Sequence, residues 1–112
     1  MPDSGARRRQ VVDALVMLAA EATGQRAWVE KHGVAADELA LTFDDAFRLV
    51  PVLVAEGHLD AGVFPDLQAI DEMFRAMSGR QNAGRWSVGA LADDAGWIMV
   101  RETARRVLAV VG

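Results

Sequence analysis

The chain has 112 residues, a length that fits one compact domain. Apolar residues make up 52% of it and charged residues 25%, a composition that excludes a disordered chain. Cysteine is absent, which excludes disulfides, zinc–thiolate sites and thiolate nucleophiles, and the formal net charge of −4 disfavours nucleic acid as a partner.

A first helix is predicted over residues 6–30. Apolar residues recur there at spacings of four, three and four, as on one side of a helix: Val11, Leu15, Leu18 and Ala22. Gly24 is a weak point, so the segment forms either one bent helix or two abutting ones. The run Lys31-His32-Gly33 indicates the C-terminus, where cations suit the helix dipole and glycine suits a left-handed cap.

The next segment is predicted to combine a connector with a second helix. Residues 35–41 form the connector, with one short helical turn at most. Thr42 is the predicted N-cap, and Asp44 and Asp45 place negative charge in the first turn. Pro51 lies inside the apolar pattern that follows, so we expect the helix to kink near residues 47–50.

The C-terminal half predicts three further helices. Pro65 suits the first position of a helix over residues 65–78 with a buried edge of Leu67, Ile70, Phe74 and Met77. Residues 79–85 form a polar loop, and residues 86–92 form a short helix capped at Ser87. Asp93 or Asp94 caps the last helix, in which Arg101, Glu102, Arg105 and Arg106 cover the solvent side. The other side of that helix is formed by apolar residues at helical spacing: Trp97, Val100, Ala104, Val107 and Val111.

These elements predict an all-α fold, a small bundle of four to five helices in a single domain over residues 1–112, with residues 1–6 flexible. No segment reaches the roughly 18 apolar residues of a membrane span, and the first residues do not resemble a signal peptide. We therefore expect a cytoplasmic protein without membrane contact.

Histidines and paired carboxylates are the candidate groups for metal binding and acid–base chemistry. His32 and His58 each precede a glycine at a predicted helix end, and both are expected to finish a helix. The alternative makes His58 and Asp60 a metal or acid–base pair, but two ligands do not form a metal site. Adjacent acids such as Asp44-Asp45 and Asp93-Asp94 are expected to cap helices. We therefore expect no catalytic residue, no metal site and no cofactor.

Charge and tryptophan are unevenly distributed. The formal charge is +1 over residues 1–36, −8 over 37–72 and +3 over 73–112. The middle third therefore presents an acidic surface that either attracts the basic C-terminal part of the same chain or selects a basic partner. Trp86 and Trp97 lie on either side of a short segment that brings them together, either in the core or around a ligand pocket.

Three segments suggest a family resemblance: Trp-Val-Glu-Lys-His-Gly-Val at 28–34, Leu-Thr-Phe-Asp-Asp-Ala-Phe-Arg-Leu-Val-Pro at 41–51 and Met-Ser-Gly at 77–79. Over about residues 10–110 the chain resembles small uncharacterised all-helical proteins of high-GC actinobacteria. The resemblance implies no activity and no functional residue.

The expected function is that of a non-enzymatic protein–protein interaction module that forms a homodimer through its last helix. The alternatives are a small-molecule-binding regulator with an apolar pocket between helices, and an acidic antidote-like inhibitor of a basic protein. The candidate interaction residues are Trp86, Trp97, Arg101, Arg105, Leu108, Val111, Asp44 and Asp45.

Overall fold

The computed structural model describes residues 4–112, in which helices are the only regular secondary structure. The seven α-helices are α1 (Ser4–Ala19), α2 (Ala22–His32), α3 (Asp37–Phe47), α4 (Val50–Ala55), α5 (Phe64–Ala76), α6 (Ala90–Asp93) and α7 (Ala95–Val111). Two 3-10 helices cover Ala61–Val63 and Arg80–Trp86. The all-α prediction is confirmed, but the predicted count of four to five helices is wrong, because two of the predicted helices are each divided.

The first division lies at residues 20–21, between α1 and α2, and not at Gly24, which is helical. Its cause is distant in sequence. Arg105 Nε donates to the carbonyl of Ala19 and Arg101 Nε donates to that of Ala20, both at 2.9 Å. Two arginines of α7 thus satisfy carbonyls that a continuing helix would have used, and their charge suits the C-terminal end of the α1 dipole.

Helix α3 is continuous across the predicted connector, so the prediction of an N-cap at Thr42 is wrong. Asp37 and Glu38 occupy its first turn, whereas Asp44 and Asp45 lie in its second half. Acids at the first turn favour a start at residue 37 because they compensate the helix dipole. The buried residues follow helical spacing through the whole segment: Leu39, Phe43 and Ala46.

The second division separates α3 from α4, within the stretch where the kink is predicted. One helix ends there and another begins, instead of a single helix that bends, and Pro51 lies in the first turn of α4. Proline lacks the N–H that a continuous helix would need at this point, whereas a first turn leaves that donor unused.

Several local predictions agree with the structure. Gly33 ends α2 in the left-handed conformation, with φ 62°. Pro65 lies in the first turn of α5. The Asp94 side chain caps α7 by accepting from the N–H of Gly96 at 2.7 Å. These positions depend on one residue and its immediate neighbours, which is why the sequence predicts them.

The segment before α7 differs from its prediction. Trp86 ends a 3-10 helix where a polar loop was expected over 79–85, and the α-helix predicted over 86–92 is reduced to α6. Ser87 still accepts from the N–H of Ala90 through its Oγ, at 3.2 Å. The N-cap of α6 is nevertheless Gly89, so the prediction of a helix capped at Ser87 is wrong, and α6 is only four residues long.

Helix α7 lies against α1, α5 and α6 and supplies much of the core. Its buried apolar residues include Trp97, Val100, Ala104 and Val107, as the spacing predicts. The prediction that Arg101 covers the solvent side is wrong, because only 8% of it is exposed. The radius of gyration is 13.8 Å, close to the roughly 13 Å expected of a single compact unit of this length.

The flexibility of residues 1–6 stays a prediction. Residues 1–3 of the segment 1–6 lie outside the described residues, and α1 begins at Ser4. Among residues 4–112, every helix is too short or too polar to cross a bilayer.

Candidate functional site

A groove of about 720 Å³ opens to solvent between α3, α5 and the 3-10 helix over residues 80–86. We call it the α3–α5 groove and define it by Ala40, Leu41, Phe43, Phe74, Ala83 and Trp86. Phe43 faces Phe74, with ring centroids 6.1 Å apart, and Phe47 stacks on Phe64 at 5.9 Å. Phe47 at the end of α3 therefore lies near the start of α5, and Phe43, one turn earlier, lies near the end of α5.

Aromatic rings form the floor. Phe74 lies between Phe43 and Trp86, with its centroid 6.0 Å from that of Trp86. Beneath them, the fully buried Trp97 meets Trp86 edge to face at 5.6 Å and Phe74 at 5.4 Å. The two tryptophans therefore do pack together, with different roles: Trp97 belongs to the core, and the half-buried Trp86 lines the groove.

Both indole groups fix the 3-10 helix that forms the end of the groove. Trp86 Nε1 donates to the carbonyl of Met77, and Trp97 Nε1 donates to that of Arg85, each at 2.8 Å. A buried or half-buried indole N–H needs such an acceptor. The bonds attach the 3-10 helix to the end of α5 and to α7, so the floor is held in place before a ligand arrives.

A two-point ion pair anchors the same segment. Arg85 donates from Nε and Nη2 to the two carboxylate oxygens of Asp94, at 2.8 and 3.1 Å. The hydrogen bond from Arg85 is the main reason that the pKa of Asp94 lies below its usual range, and the N–H of Gly96 lowers it further. The same bond to Asp94 raises the pKa of Arg85.

The Asp94 contact predicts an acid-sensitive part of the stability. A carboxyl group whose pKa is lowered by folding stabilises the folded state above the ordinary aspartate pKa of about 4, and this stabilisation is lost as the pH falls through the lowered pKa. We expect the free energy of unfolding to fall less steeply with acidification in Asp94→Asn than in the wild type, because the amide does not titrate and still caps α7.

Urea unfolding followed by circular dichroism at a series of pH values below neutral measures this difference. Arg85→Met serves as the second variant, and its curve should lie between the other two because the bond from Gly96 remains. Parallel curves for the wild type and Asp94→Asn would show that the ion pair contributes nothing to the pH dependence.

Small side chains leave the groove open above its floor. Ala40 on α3 and Ala83 on the 3-10 helix line it, and Gly79 adds no side chain at the end of α5. Leu41 borders the opening with 53% of its surface exposed. When an apolar group covers an exposed leucine beside aromatic rings, the free energy falls because apolar surface is removed from water.

Charged side chains surround the apolar floor: Asp37, Asp44, Asp71, Arg75 and Arg80. Asp44 and Asp71 each pair with an arginine one turn later on the same helix, at 2.8 and 2.9 Å. Asp37 and Arg80 form no ion pair within the described residues. These are rim charges in contact with water, and they suit recognition of a charged partner better than proton transfer, which needs a dry cleft.

The chain was also compared with known proteins. No protein-family model, curated protein or solved structure matches it. The resemblance to helical proteins of high-GC actinobacteria therefore stays a prediction, and the function has to be derived from the groove.

Of the eight candidate interaction residues, the structure places Trp86 and Asp44 on the groove. Asp45 is exposed on α3 and does not line it. Trp97 lies below the floor with none of its surface exposed, so its contacts are intramolecular. Arg105 is exposed and pairs with Glu21 at 3.0 Å, close to the end of α1.

Arg101 is the centre of a buried polar network. Its Nη2 donates to Gln25 Oε1 at 2.9 Å and to the carbonyl of Leu91 at 2.8 Å, in addition to the Nε bond to Ala20. Burial lowers the pKa of Arg101, and the positive charge of Arg105 lowers it further. All of these partners belong to the same chain, so the network joins the end of α1 to α2, α6 and α7.

The last turns of α7 expose less apolar surface than the sequence suggests. Val111 is 8% exposed and belongs to the core, and Leu108 is half-buried, whereas Val110 is 61% exposed. The homodimer through α7 stays a prediction. Aspartate at Val111 would test the core and not an interface.

The histidine alternative gains no geometric support. Asp60 accepts from the N–H of Gly62 through Oδ1 at 2.7 Å, which makes it the cap of the first 3-10 helix, and His58 is exposed. His32 ends α2, where its Nδ1 contacts the carbonyl of Trp28 at 2.8 Å. Within residues 4–112, no three potential metal ligands lie together.

Sequence reasoning missed most of the groove, above all Leu41, Ala83 and Arg80. One signal was available for Leu41: it is a large apolar residue out of phase with the buried positions of α3. The predicted helix start at Thr42 placed Leu41 in a connector and hid that signal.

Proposed function

We propose that the protein is a protein–protein interaction module that binds apolar side chains of a partner in the α3–α5 groove. The supporting observation is a groove open to solvent whose exposed apolar surface comes from Leu41 and the half-buried Trp86, above the buried rings of Phe43 and Phe74. Burying such a surface against apolar anchors is the main source of affinity at protein interfaces.

The construction of the groove favours binding without a large rearrangement. The floor is fixed by indole hydrogen bonds and by the Arg85–Asp94 pair, so little conformational entropy is lost when a partner enters. The rim provides charges of both signs around an apolar centre, the usual layout of an interface. Inhibition of a basic protein, the antidote-like alternative, is a special case of this function.

The volume favours a second candidate, a small apolar ligand. Pockets for small molecules measure about 300–1,000 Å³, and the groove falls in that range. A small ligand would leave much of its surface in water, because the groove is open along its length. A partner protein would also cover Leu41 and the rim, which is why it is the first candidate.

Selection from a displayed random-peptide library tests the first candidate. We expect enrichment of peptides with regularly spaced apolar anchors, and about tenfold weaker binding of these peptides to Leu41→Glu, because a carboxylate then borders the apolar floor. Met99→Glu is the matched control. Met99 has the same exposure, 52% against 53%, and lies on a helix, but it does not line the groove.

Peptides that bind the wild type and both variants equally would contradict the proposal. A library that yields no binder, together with Leu41-dependent binding of the neutral apolar dye Nile red, would favour the small-ligand candidate. Circular dichroism of both variants establishes that they fold.

A further inference from the structure

We infer that the partner segment is an amphipathic helix with basic residues along one flank, seated with that flank against α3. The inference rests on the proposed function and adds the conformation and the charge of the segment that enters the groove.

The length of the groove favours a helix. Its α3 side runs from Asp37 to Asp44, seven residue steps or about 10 Å of helix. Anchors at positions i, i+4 and i+7 of a partner helix span the same length, so three apolar side chains reach the floor together. An extended peptide covers that distance with about three residues and directs alternate side chains away from the floor.

The charge of the groove is different on its two sides. Helix α3 contains four acidic residues, and the carboxylates of Asp37 and Asp44 lie on the rim, with Asp44 paired to an arginine at the end of the helix. The opposite side presents Arg75 and Arg80 together with Asp71. A partner with lysine or arginine facing α3 is attracted by Asp37 and Asp44, whereas an acidic flank there meets like charge.

Two synthetic peptides test the charge. Each has about 15 residues, a length at which an isolated helix becomes marginally stable, with leucines at i, i+4 and i+7. One has lysines on a flank and the other has glutamates at the same positions. Fluorescence anisotropy with the full chain should show tighter binding of the lysine peptide, and the difference should shrink at high salt.

Charge variants locate the effect. We expect the double variant Asp37→Asn with Asp44→Asn to bind the lysine peptide about fivefold more weakly at low salt, which is the combined effect of losing two exposed charge pairs. Glu30→Gln with Glu102→Gln is the matched control and should change the affinity less than about twofold, because neither residue lines the groove. Each double variant removes two negative charges, one of them from an ion pair with an arginine one turn away.

The outcomes separate the two proposals. Equal affinity for both peptides, with both lost in Leu41→Glu, overturns the basic partner but leaves the groove as the binding site. If the two double variants change the affinity for the lysine peptide equally, the basic partner is also overturned. If neither peptide binds in a Leu41-dependent way and the peptide library yields no Leu41-dependent binder, the proposed function itself fails. Thermal unfolding of each variant shows that altered affinity does not arise from misfolding.

Discussion

Replacing Arg101 with methionine is expected to lower the free energy of unfolding by about 4 kcal/mol, because it leaves several buried acceptors without a donor. The acceptors are Gln25 Oε1 and the carbonyls of Ala20 and Leu91, all within 2.9 Å of the guanidinium. Methionine fills part of the volume, so the loss is mainly one of hydrogen bonds and not of packing.

The loss extends beyond the direct contacts. Gln25 is fully buried, and its Nε2 donates to the carbonyls of Met17 and Leu18 at 3.1 Å. Arg101 therefore holds the side chain that satisfies the last turn of α1. Lysine at position 101 should recover only part of the stability, since a single ammonium group cannot reproduce the planar donors of arginine.

Urea unfolding at neutral pH measures the effect, with Arg106→Met as the control. Arg106 lies one turn further along α7, is exposed and reaches Asp66 only at 3.4 Å, so its replacement should cost less than about 1 kcal/mol. Equal losses in the two variants would show that the buried network adds nothing beyond an ordinary surface pair.

Replacing Trp97 with alanine is expected to cost about 4–5 kcal/mol, the upper part of the range for large core side chains. Trp97 has no exposed surface, contacts Phe74 and Trp86, and donates to the carbonyl of Arg85. Its removal leaves a cavity below the groove and frees the 3-10 helix, so ligand binding should weaken together with stability.

Trp28→Ala is the control for side-chain size. Trp28 is half-buried and contacts the tilted ring of His32 with ring centroids 4.5 Å apart, so its truncation should cost about 1.5 kcal/mol. Thermal and urea unfolding of both variants give the comparison. A Trp97→Ala variant as stable as Trp28→Ala would place Trp97 outside the core.

Signals that lie within a few residues were read correctly from the sequence. Gly33 ends α2 and Pro65 favours the start of α5 through their own backbone preferences, and Asp94 caps α7 by reaching a donor two residues away. The apolar spacing of α5 and α7 also predicted their buried faces, because one helical period connects all of those positions.

Features that depend on distant residues were not predicted. The break after α1 arises because Arg101 and Arg105 reach the carbonyls of Ala19 and Ala20 across about 80 residues of chain. The same contacts explain why Arg101 is buried although arginine is mostly found at surfaces. No local pattern distinguishes it from Arg105, which is exposed one turn later.

The groove was beyond sequence reasoning for a similar reason. Alanine at positions 40 and 83 occurs in a chain rich in alanine, and only the distance between α3, α5 and the 3-10 helix turns these two positions into open space. The acidic charge of the middle third was evident from the sequence. Only the fold shows that part of this acidic charge lies on α3, beside an aromatic floor.

The three tryptophans provide the most direct test that the α3–α5 groove is the binding site. Each gives one indole N–H signal in a two-dimensional ¹H–¹⁵N spectrum, and the three lie at the groove, in the core and on α2. On titration with the lysine peptide, the account predicts a shift of the Trp86 signal while that of Trp28 stays unchanged. A shift of Trp28 with Trp86 unchanged would place the partner on the other side of α3 and contradict it.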